Sequence, residues 1–255
     1  MAGREKLLLL CMAYPEISKR YKASVCMAGI TEEGELRRIY PVPFEKFVNF
    51  GFHKKQWISY EIKEKGDHRK ESFKIRPETL EKEEMVDDET IREICKNNVS
   101  TLDELRASWK EDKTSLGIIK PDLMDLIIRE CSPDQRKVQL QKQQKLDGNF
   151  IPIDILRYDM FYKFKCFGED EKNHKCKCLD TEAGQLYRNL VSRWGEDHPE
   201  NIQKIRMRFF DWMKSRDLYF LMGTHSFHPN AWMIISLLYP PKIEPPQNRS
   251  IFDFD

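Results

Sequence analysis

The sequence predicts an α+β protein with a small antiparallel β-sheet or barrel at the N-terminus, a helical middle and a C-terminal α+β domain. Three observations support this prediction: strand-like apolar runs fill the N-terminal part, helical spacing begins near residue 86, and strand and helix patterns mix after residue 149. The predicted divisions are a β-rich segment, a helical connecting segment, an α+β domain and a mobile Pro-rich tail, over residues 1–80, 81–148, 149–241 and 242–255.

The N-terminal strands are predicted from short apolar runs. Residues 7–12 are wholly apolar, which is typical of a strand buried on both faces. Pro41 and Pro43 are expected to end the third strand, because proline interrupts sheet hydrogen bonding. Four strands without an intervening long helix favour a small sheet or barrel, with strands over 7–12, 21–30, 36–40 and 57–62.

Helix signals dominate the middle of the chain. The acid at Asp87 favours a helix start, and Thr101 with Glu104 forms a capping-box pair. Pro121 fits the first position of another helix, since apolar residues follow at helical spacing. The Gln/Lys-rich stretch 135–144 is interpreted as a linker or an exposed helix.

The C-terminal domain is predicted to contain a hairpin, two helices and two closing strands. The first helix covers 182–194, and the second carries Lys204 and Arg208 on the side opposite its apolar residues. The strands are expected over 160–167, 175–179, 218–222 and 232–238.

Charge is balanced overall but unevenly distributed. The net charge is +1, yet residues 1–76 carry 16 Lys/Arg against 10 Asp/Glu, and residues 77–112 carry 5 against 12. The basic N-terminal part is either a polyanion-binding face or ordinary solvated surface. The sequence contains no Gly-rich phosphate loop and no Gly-x-Ser-x-Gly motif, which argues against the enzyme classes that use them, and no cofactor is expected.

Cysteine usage points to a reducing compartment. The seven Cys are odd in number and scattered, and no secretory signal precedes them. The apolar run 7–13 is too short to span a membrane. We therefore expect a cytoplasmic protein with free thiols and no membrane partner.

Four Cys and His side chains form a candidate metal set. Strand periodicity places His174, Cys176 and Cys178 on one face, where Cys166 could join them around zinc. The spacing lacks the Cys knuckles typical of structural zinc, so packed thiols are the main expectation and no metal is predicted.

Asp180 and Glu182 lie at a predicted junction between a strand and a helix. Two carboxylates there could hold Mg²⁺ for phosphodiester cleavage. The alternative, which we favour, is that Asp180 caps the helix and Glu182 is an acid of its first turn, so that no catalytic residue is assigned.

Cations and aromatic residues are interleaved along the N-terminal segment. OB-like barrels bind single strands through a cationic groove and stacking aromatics. The predicted nucleic-acid-binding residues are Arg37, Arg38, Tyr40, Lys54, Lys55, Trp57, Arg69 and Lys70. Because adjacent strand residues point to opposite sides, only one of the two neighbouring arginines should face the bound strand, and the other should be solvated or paired with an acid such as Glu35.

Several motifs resemble a widespread family of uncharacterised prokaryotic (archaeal and bacterial) proteins. They include Cys26-Met-Ala-Gly-Ile30, Arg38–Phe44 and Thr114–Pro121, and in the C-terminal part Leu218–Phe220 with Trp232–Ile235. The segment around Cys26 is also similar to dual OB-fold domains found near prokaryotic defence genes.

The resemblance and the basic bias together suggest a non-catalytic protein that binds DNA or RNA in defence or genome maintenance. Two alternatives stay open. One is an accessory N-terminal-lobe subunit of a nucleic-acid-guided effector such as a short Argonaute, with a protein partner at the C-terminal domain or tail. The other is a metal-dependent nuclease that uses Asp180 and Glu182.

Overall fold

The computed structural model describes residues 3–13, 16–18, 22–134, 137, 156–168, 172–225 and 228–243. Its strands are β1 Arg4–Met12, β2 Glu16–Ser18, β3 Lys22–Thr31, β4 Leu36–Pro43, β5 Gln56–Lys65, β6 Ser72–Ile75, β7 Glu81–Met85, β8 Val99–Ser100, β9 Leu116–Ile119, β10 Pro121–Glu130, β11 Tyr158–Cys166, β12 His174–Cys178, β13 Tyr219–His225 and β14 His228–Leu238. Its α-helices are α1 Phe44–Phe50, α2 Asp88–Asn97, α3 Leu102–Asp112, α4 Thr181–Trp194 and α5 Glu200–Arg206.

The first sheet closes into a five-stranded barrel. Its strands follow the order β1-β3-β4-β6-β5, and β5 pairs back onto β1. β7 and β2 add to this sheet by pairing with β5 and β3. The mixed α+β class is confirmed, and the closed barrel fits the predicted OB-like architecture.

Strand β1 pairs with both β3 and β5 in the barrel wall. Leu7, Leu8 and Leu9 have no exposed surface, which confirms the prediction of a strand buried on both faces. Gly29 on β3 permits close packing here, because an added Cβ would lie 1.9 Å from the backbone carbonyl oxygen of Leu8.

The second sheet has the order β10-β11-β12-β14-β13-β9-β8. The pairs β12–β14 and β8–β9 are parallel, and the others are antiparallel. Helices α4 and α5 cover the face of this sheet that holds the large C-terminal core.

The predicted helix caps are present. The Asp87 side chain accepts from the Thr90 backbone N–H at the start of α2. Thr101 and Glu104 make both bonds of the capping box that begins α3. After α5, the chain continues as a π-helical turn over Met207–Asp211 and a 3₁₀ turn over Met213–Ser215.

The prediction of a helical middle segment is only partly correct. Pro121 begins strand β10 rather than a helix, and β9 precedes it. β10 is an edge strand, where a proline at the first position costs no sheet hydrogen bond, so the helix prediction is wrong. Strand β4 also continues through Pro41 to Pro43 instead of ending before them.

Of the three apolar cores formed by the described residues, one joins the two sheets. Barrel residues contribute one side of it, and α2, β9, β13 and β14 contribute the other. Its buried members are Leu8, Leu10, Cys11, Ala28, Ile30, Ile91, Cys95, Leu116, Ile118, Tyr219, Leu221 and Leu238. The remaining two cores lie inside the barrel and between the second sheet and its helices.

Two predicted segments fall largely outside the described residues. Of the linker 135–144 the structure describes only Lys137, and of the tail 242–255 it describes only Lys242 and Ile243. None of the described helices has the length and apolar character needed to cross a membrane.

Candidate nucleic-acid interface

Two of the predicted binding arginines are buried between the sheets. Arg38 donates from Nη1 to the Thr224 carbonyl oxygen at 3.1 Å and from Nη2 to the Ser115 carbonyl oxygen at 3.2 Å. Arg69 donates to the same Thr224 oxygen at 3.0 Å and pairs with Asp67 at 2.6 Å. These side chains therefore join the barrel to the second sheet.

Arg37 is paired on the barrel wall. Its guanidinium lies 2.8 Å from Glu5 and 3.0 Å from Glu35, and it stacks 4.4 Å from the ring centroid of Phe73. Its side chain is only 12% exposed. Of the two neighbouring arginines, Arg37 is therefore the one that pairs with Glu35.

The other predicted binding residues of the N-terminal segment lie in separate environments. Lys55 pairs with Asp88, and Lys70 pairs with Asp112 at 2.6 Å. Tyr40 is half-buried and accepts a hydrogen bond from Ser24 at 3.2 Å, while Trp57 packs against the shared core. The structure does not gather the eight predicted residues on one open face, and their contact with nucleic acid stays a prediction.

Lys54 belongs to a buried ionic cluster with the C-terminal half. Its Nζ lies 2.6 Å from Asp180 and 2.9 Å from Glu182. Burial lowers the pKa of Lys54, but the charges of Asp180 and Glu182 outweigh burial and hold that pKa above its usual range. The lysine is therefore a fixed cation that ties the barrel to α4.

Asp180 caps α4, as the sequence predicts. Its Oδ1 accepts from the Glu182 backbone N–H at 2.8 Å, and its Oδ2 accepts from the Leu237 N–H at 2.8 Å as well as from Lys54. Its side chain has no exposed surface. The carboxylate oxygens are thus committed to the protein, an arrangement that fits a structural cap better than a catalytic Mg²⁺ ligand.

The Cys and His set lies in the C-terminal core. His174, Cys176 and Cys178 alternate with more exposed residues along β12, so the predicted common face is confirmed. Cys166 is buried on the neighbouring strand and accepts from the Leu102 N–H at 3.4 Å. Among the described residues, no group of three or more His, Cys, Asp and Glu side chains is arranged to hold a metal ion.

A surface groove of about 410 Å³ runs between α4 and the segment formed by α5 and its π-helical turn. We call it the α4–α5 groove. Its apolar lining is Leu186, Leu190 and Phe209. Its polar lining is Glu182, Gln185, Asn189, Lys204 and Arg208.

Cations at this groove lie against aromatic rings. The Arg208 guanidinium is 3.5 Å from the ring centroid of Trp212, and the Arg216 guanidinium is 4.8 Å from the centroid of the same ring. The Lys204 ammonium lies 4.7 Å from the ring centroid of Trp194. Within the described part of the chain, Arg208 has no carboxylate partner, so its charge is available to a ligand.

Three of these side chains recur every fourth residue on the helical segment that continues from α5: Lys204, Arg208 and Trp212. Arg216 follows the last 3₁₀ turn in extended conformation, and its guanidinium also lies beside Trp212. The Tyr239 ring packs edge-on against Trp212 at the end of this row, with ring centroids 5.5 Å apart. We call these five residues the basic-aromatic stripe.

The comparisons divide the chain near residue 100. Residues 98–254 match the family described as Domain of unknown function (DUF8757), which covers more than half of the chain. The chain belongs to this family. Residues 3–100 match a second description, Domain of unknown function (DUF8758). No curated protein matches the chain.

The groove and the stripe lie wholly within the segment that matches DUF8757. The barrel lies within the segment that matches DUF8758 and reaches the groove through Lys54, which contacts Glu182. The DUF8757 segment therefore supplies the groove and its two cations, of which Lys204 lies 3.6 Å from Glu200, and the barrel supports the Glu182 wall.

The stripe is the feature that sequence reasoning missed. The period of four from Lys204 to Arg216 is visible in the sequence, and the first two of its cations are predicted on the polar side of a helix. The larger basic excess in residues 1–76 favours the barrel instead. Counting charges cannot show that most of those cations have acidic partners.

Proposed function

We propose that this protein binds single-stranded nucleic acid along the α4–α5 groove and the basic-aromatic stripe. The observation that carries the proposal is Arg208, whose guanidinium lies 3.5 Å from the ring centroid of Trp212 and has no carboxylate partner among the described residues. A guanidinium beside an indole can interact with an unstacked base and donate its N–H groups to phosphate.

The chemistry of the surface suits a single strand. Unstacked bases bind to aromatic rings and Arg planes, while Lys and Arg neutralise the backbone. The groove supplies apolar surface chiefly at the partly buried Leu186, since Leu190 and Phe209 lie in the core beneath it, and cations at Lys204 and Arg208 border it. A volume of about 410 Å³ falls within the range of small-ligand sites.

The test is binding of a labelled oligonucleotide at several salt concentrations. Replacing Lys204 and Arg208 together with Ala should weaken binding and lower the salt-dependence slope by about 0.7 for each phosphate that the variant no longer neutralises. The matched control replaces Arg106 and Lys110 on α3, which removes the same charge from a different helix. Equal effects of the two double variants would show that the groove is not the binding surface.

The nucleic-acid-binding residues predicted in the N-terminal segment give a competing expectation. A variant with Lys55 and Lys70 both replaced by Ala removes the two more exposed cations among those residues. If that variant lowers the salt slope while the groove variant does not, the strand binds on the barrel.

The structure bears differently on the two alternatives, a metal-dependent nuclease and a subunit of a nucleic-acid-guided effector. A metal-dependent nuclease is not favoured, because Asp180 is enclosed and its oxygens accept hydrogen bonds from the protein. Participation as a subunit beside a nucleic-acid-guided effector stays a prediction, as do the prokaryotic defence setting and the cytoplasmic location.

A further inference from the structure

The two walls of the α4–α5 groove carry opposite hydrogen-bonding character. The α4 wall presents the Glu182 carboxylate, which is an acceptor, near the start of the helix. The wall formed by α5 and its π-helical turn presents Lys204 and Arg208, which are donors. A planar ligand between these walls meets a carboxylate on one edge and a cation on another.

Glu182 is held in place but remains open to the groove. Its Oε1 lies 2.9 Å from Lys54 Nζ, and its Oε2 accepts from the Tyr239 hydroxyl. Burial and the charge of Glu182 raise the pKa of Tyr239 to about 12, so that this hydroxyl keeps its proton at neutral pH. The Glu182 side chain is 37% exposed, and each oxygen retains acceptor capacity towards the groove.

Neighbouring amides add donors along the same wall. The Gln185 side-chain nitrogen donates to Asn189 Oδ1 at 3.0 Å, and Arg188 donates to Gln185 Oε1 at 2.9 Å. Each amide oxygen accepts one of these bonds, and neither bond uses the N–H groups of the Asn189 side chain. Glu182 is the one carboxylate among the residues that line the groove.

Among the common bases, guanine matches this pattern. Its Watson–Crick edge has adjacent N1–H and N2–H donors that suit one carboxylate, and its Hoogsteen edge has the O6 and N7 acceptors that suit Arg or Lys. Adenine and cytosine place a ring acceptor beside their amino group, and thymine or uracil has one N–H between two carbonyls. We propose that the α4–α5 groove selects guanine, with Glu182 on its Watson–Crick edge and Arg208 or Lys204 on its Hoogsteen edge.

This inference rests on the proposed function, and its test separates the two. Labelled oligothymidine is compared with the same strand carrying one central guanosine or inosine, which lacks the N2 amino group. The strand with guanosine should bind about tenfold more tightly than the other two. In Glu182→Gln the ratio should fall close to one, because the amide places an N–H opposite the guanine donors.

Glu93→Gln is the matched control, since Glu93 is an exposed carboxylate on α2 outside the groove. It should keep the full guanosine preference. Strand binding without a guanosine preference overturns the guanine inference and leaves the proposed function standing. Absence of binding to every strand at low salt overturns the proposed function.

A free guanine nucleotide carries the same base chemistry, and competition identifies the source. Guanosine monophosphate should displace the strand only at much higher concentration, because it makes fewer phosphate contacts. If it competes as well as the strand and loses this ability in Glu182→Gln, guanine selection is supported and the strand is not the natural ligand. If guanosine and adenosine monophosphates compete equally, guanine selection is overturned.

Discussion

Lys54 Nζ lies 2.6 Å from Asp180 Oδ2, and this contact joins a loop of the barrel to the residue that caps α4. The two residues are far apart in sequence, and the Asp180 side chain is fully enclosed. The same lysine reaches Glu182 on the wall of the groove. One buried cation therefore supports both the helix cap and the carboxylate that we assign to base selection.

Replacing Lys54 with Met should lower the free energy of unfolding by about 3 kcal/mol, because removing one partner leaves a buried charge uncompensated. Lys55→Met is the matched control, since that neighbouring lysine pairs with Asp88 at the surface. It should cost less than about 1 kcal/mol. Denaturant unfolding of both variants measures the difference, and equal costs would contradict a special role for Lys54.

The close approach of β3 to β1 gives a second stability prediction. Gly29→Ala would place a Cβ 1.9 Å from the Leu8 carbonyl oxygen, so the barrel must deform. Overpacking of this kind costs about 1–3 kcal/mol or more. Gly3→Ala is the control, because nothing lies within 4 Å of its added Cβ. Thermal unfolding should show a clear loss for the first variant and almost none for the second.

Buried thiols should resist modification in the native protein. Burial raises the pKa of Cys176 to about 11 and that of Cys95 to about 12, and it raises the pKa of Cys178 further. Because the thiolate is the reactive form, these groups should react slowly at about pH 8 and faster as the pH rises towards their pKa values.

The measurement is labelling with a thiol reagent, with mass spectrometry to locate the adducts. Cys26 and Cys131 are half-buried and should react first, and all seven cysteines should react after denaturation. Elemental analysis provides an independent check on the candidate metal set. One zinc per chain would contradict the interpretation of Cys166, Cys176 and Cys178 as packed thiols.

Local signals predict local structure well. The apolar run in β1, the Thr101–Glu104 capping box and the Asp180 cap all depend on neighbours in sequence, and the structure contains all three. The helix predicted at Pro121 is wrong because proline suits both a first helical turn and the start of an edge strand, and only sheet pairing separates the two.

Long-range pairing limits the prediction of the site. Whether a cation is available depends on acids far away in sequence, as the pairing of Arg37 with Glu5 and of Lys54 with Asp180 shows. No local pattern reveals these partners. The role of the cations at Lys204 and Arg208 likewise depends on the groove beside α4, which forms only when separate helices pack together.

The core that joins the two sheets leads to a final prediction, which concerns the cooperativity of folding. Leu8 and Leu9 are adjacent on β1 and equally buried, but Leu8 faces the core shared with the second sheet and Leu9 faces the interior of the barrel. Replacing either with Ala should cost about 2–5 kcal/mol, because each change leaves a cavity in a packed core. The two variants should differ in where the structure loosens.

Hydrogen exchange can locate that loosening. In Leu8→Ala, amide exchange should accelerate in β9 and β13 as well as in the barrel, since Leu116, Ile118 and Leu221 belong to the same core. In Leu9→Ala, faster exchange should be concentrated in the barrel strands. If the effect of Leu8→Ala were confined to the barrel, the two halves would be independent folding units and the shared core would contribute little to their coupling. The predicted pattern would instead show that the barrel is part of the framework that positions α4 and its groove.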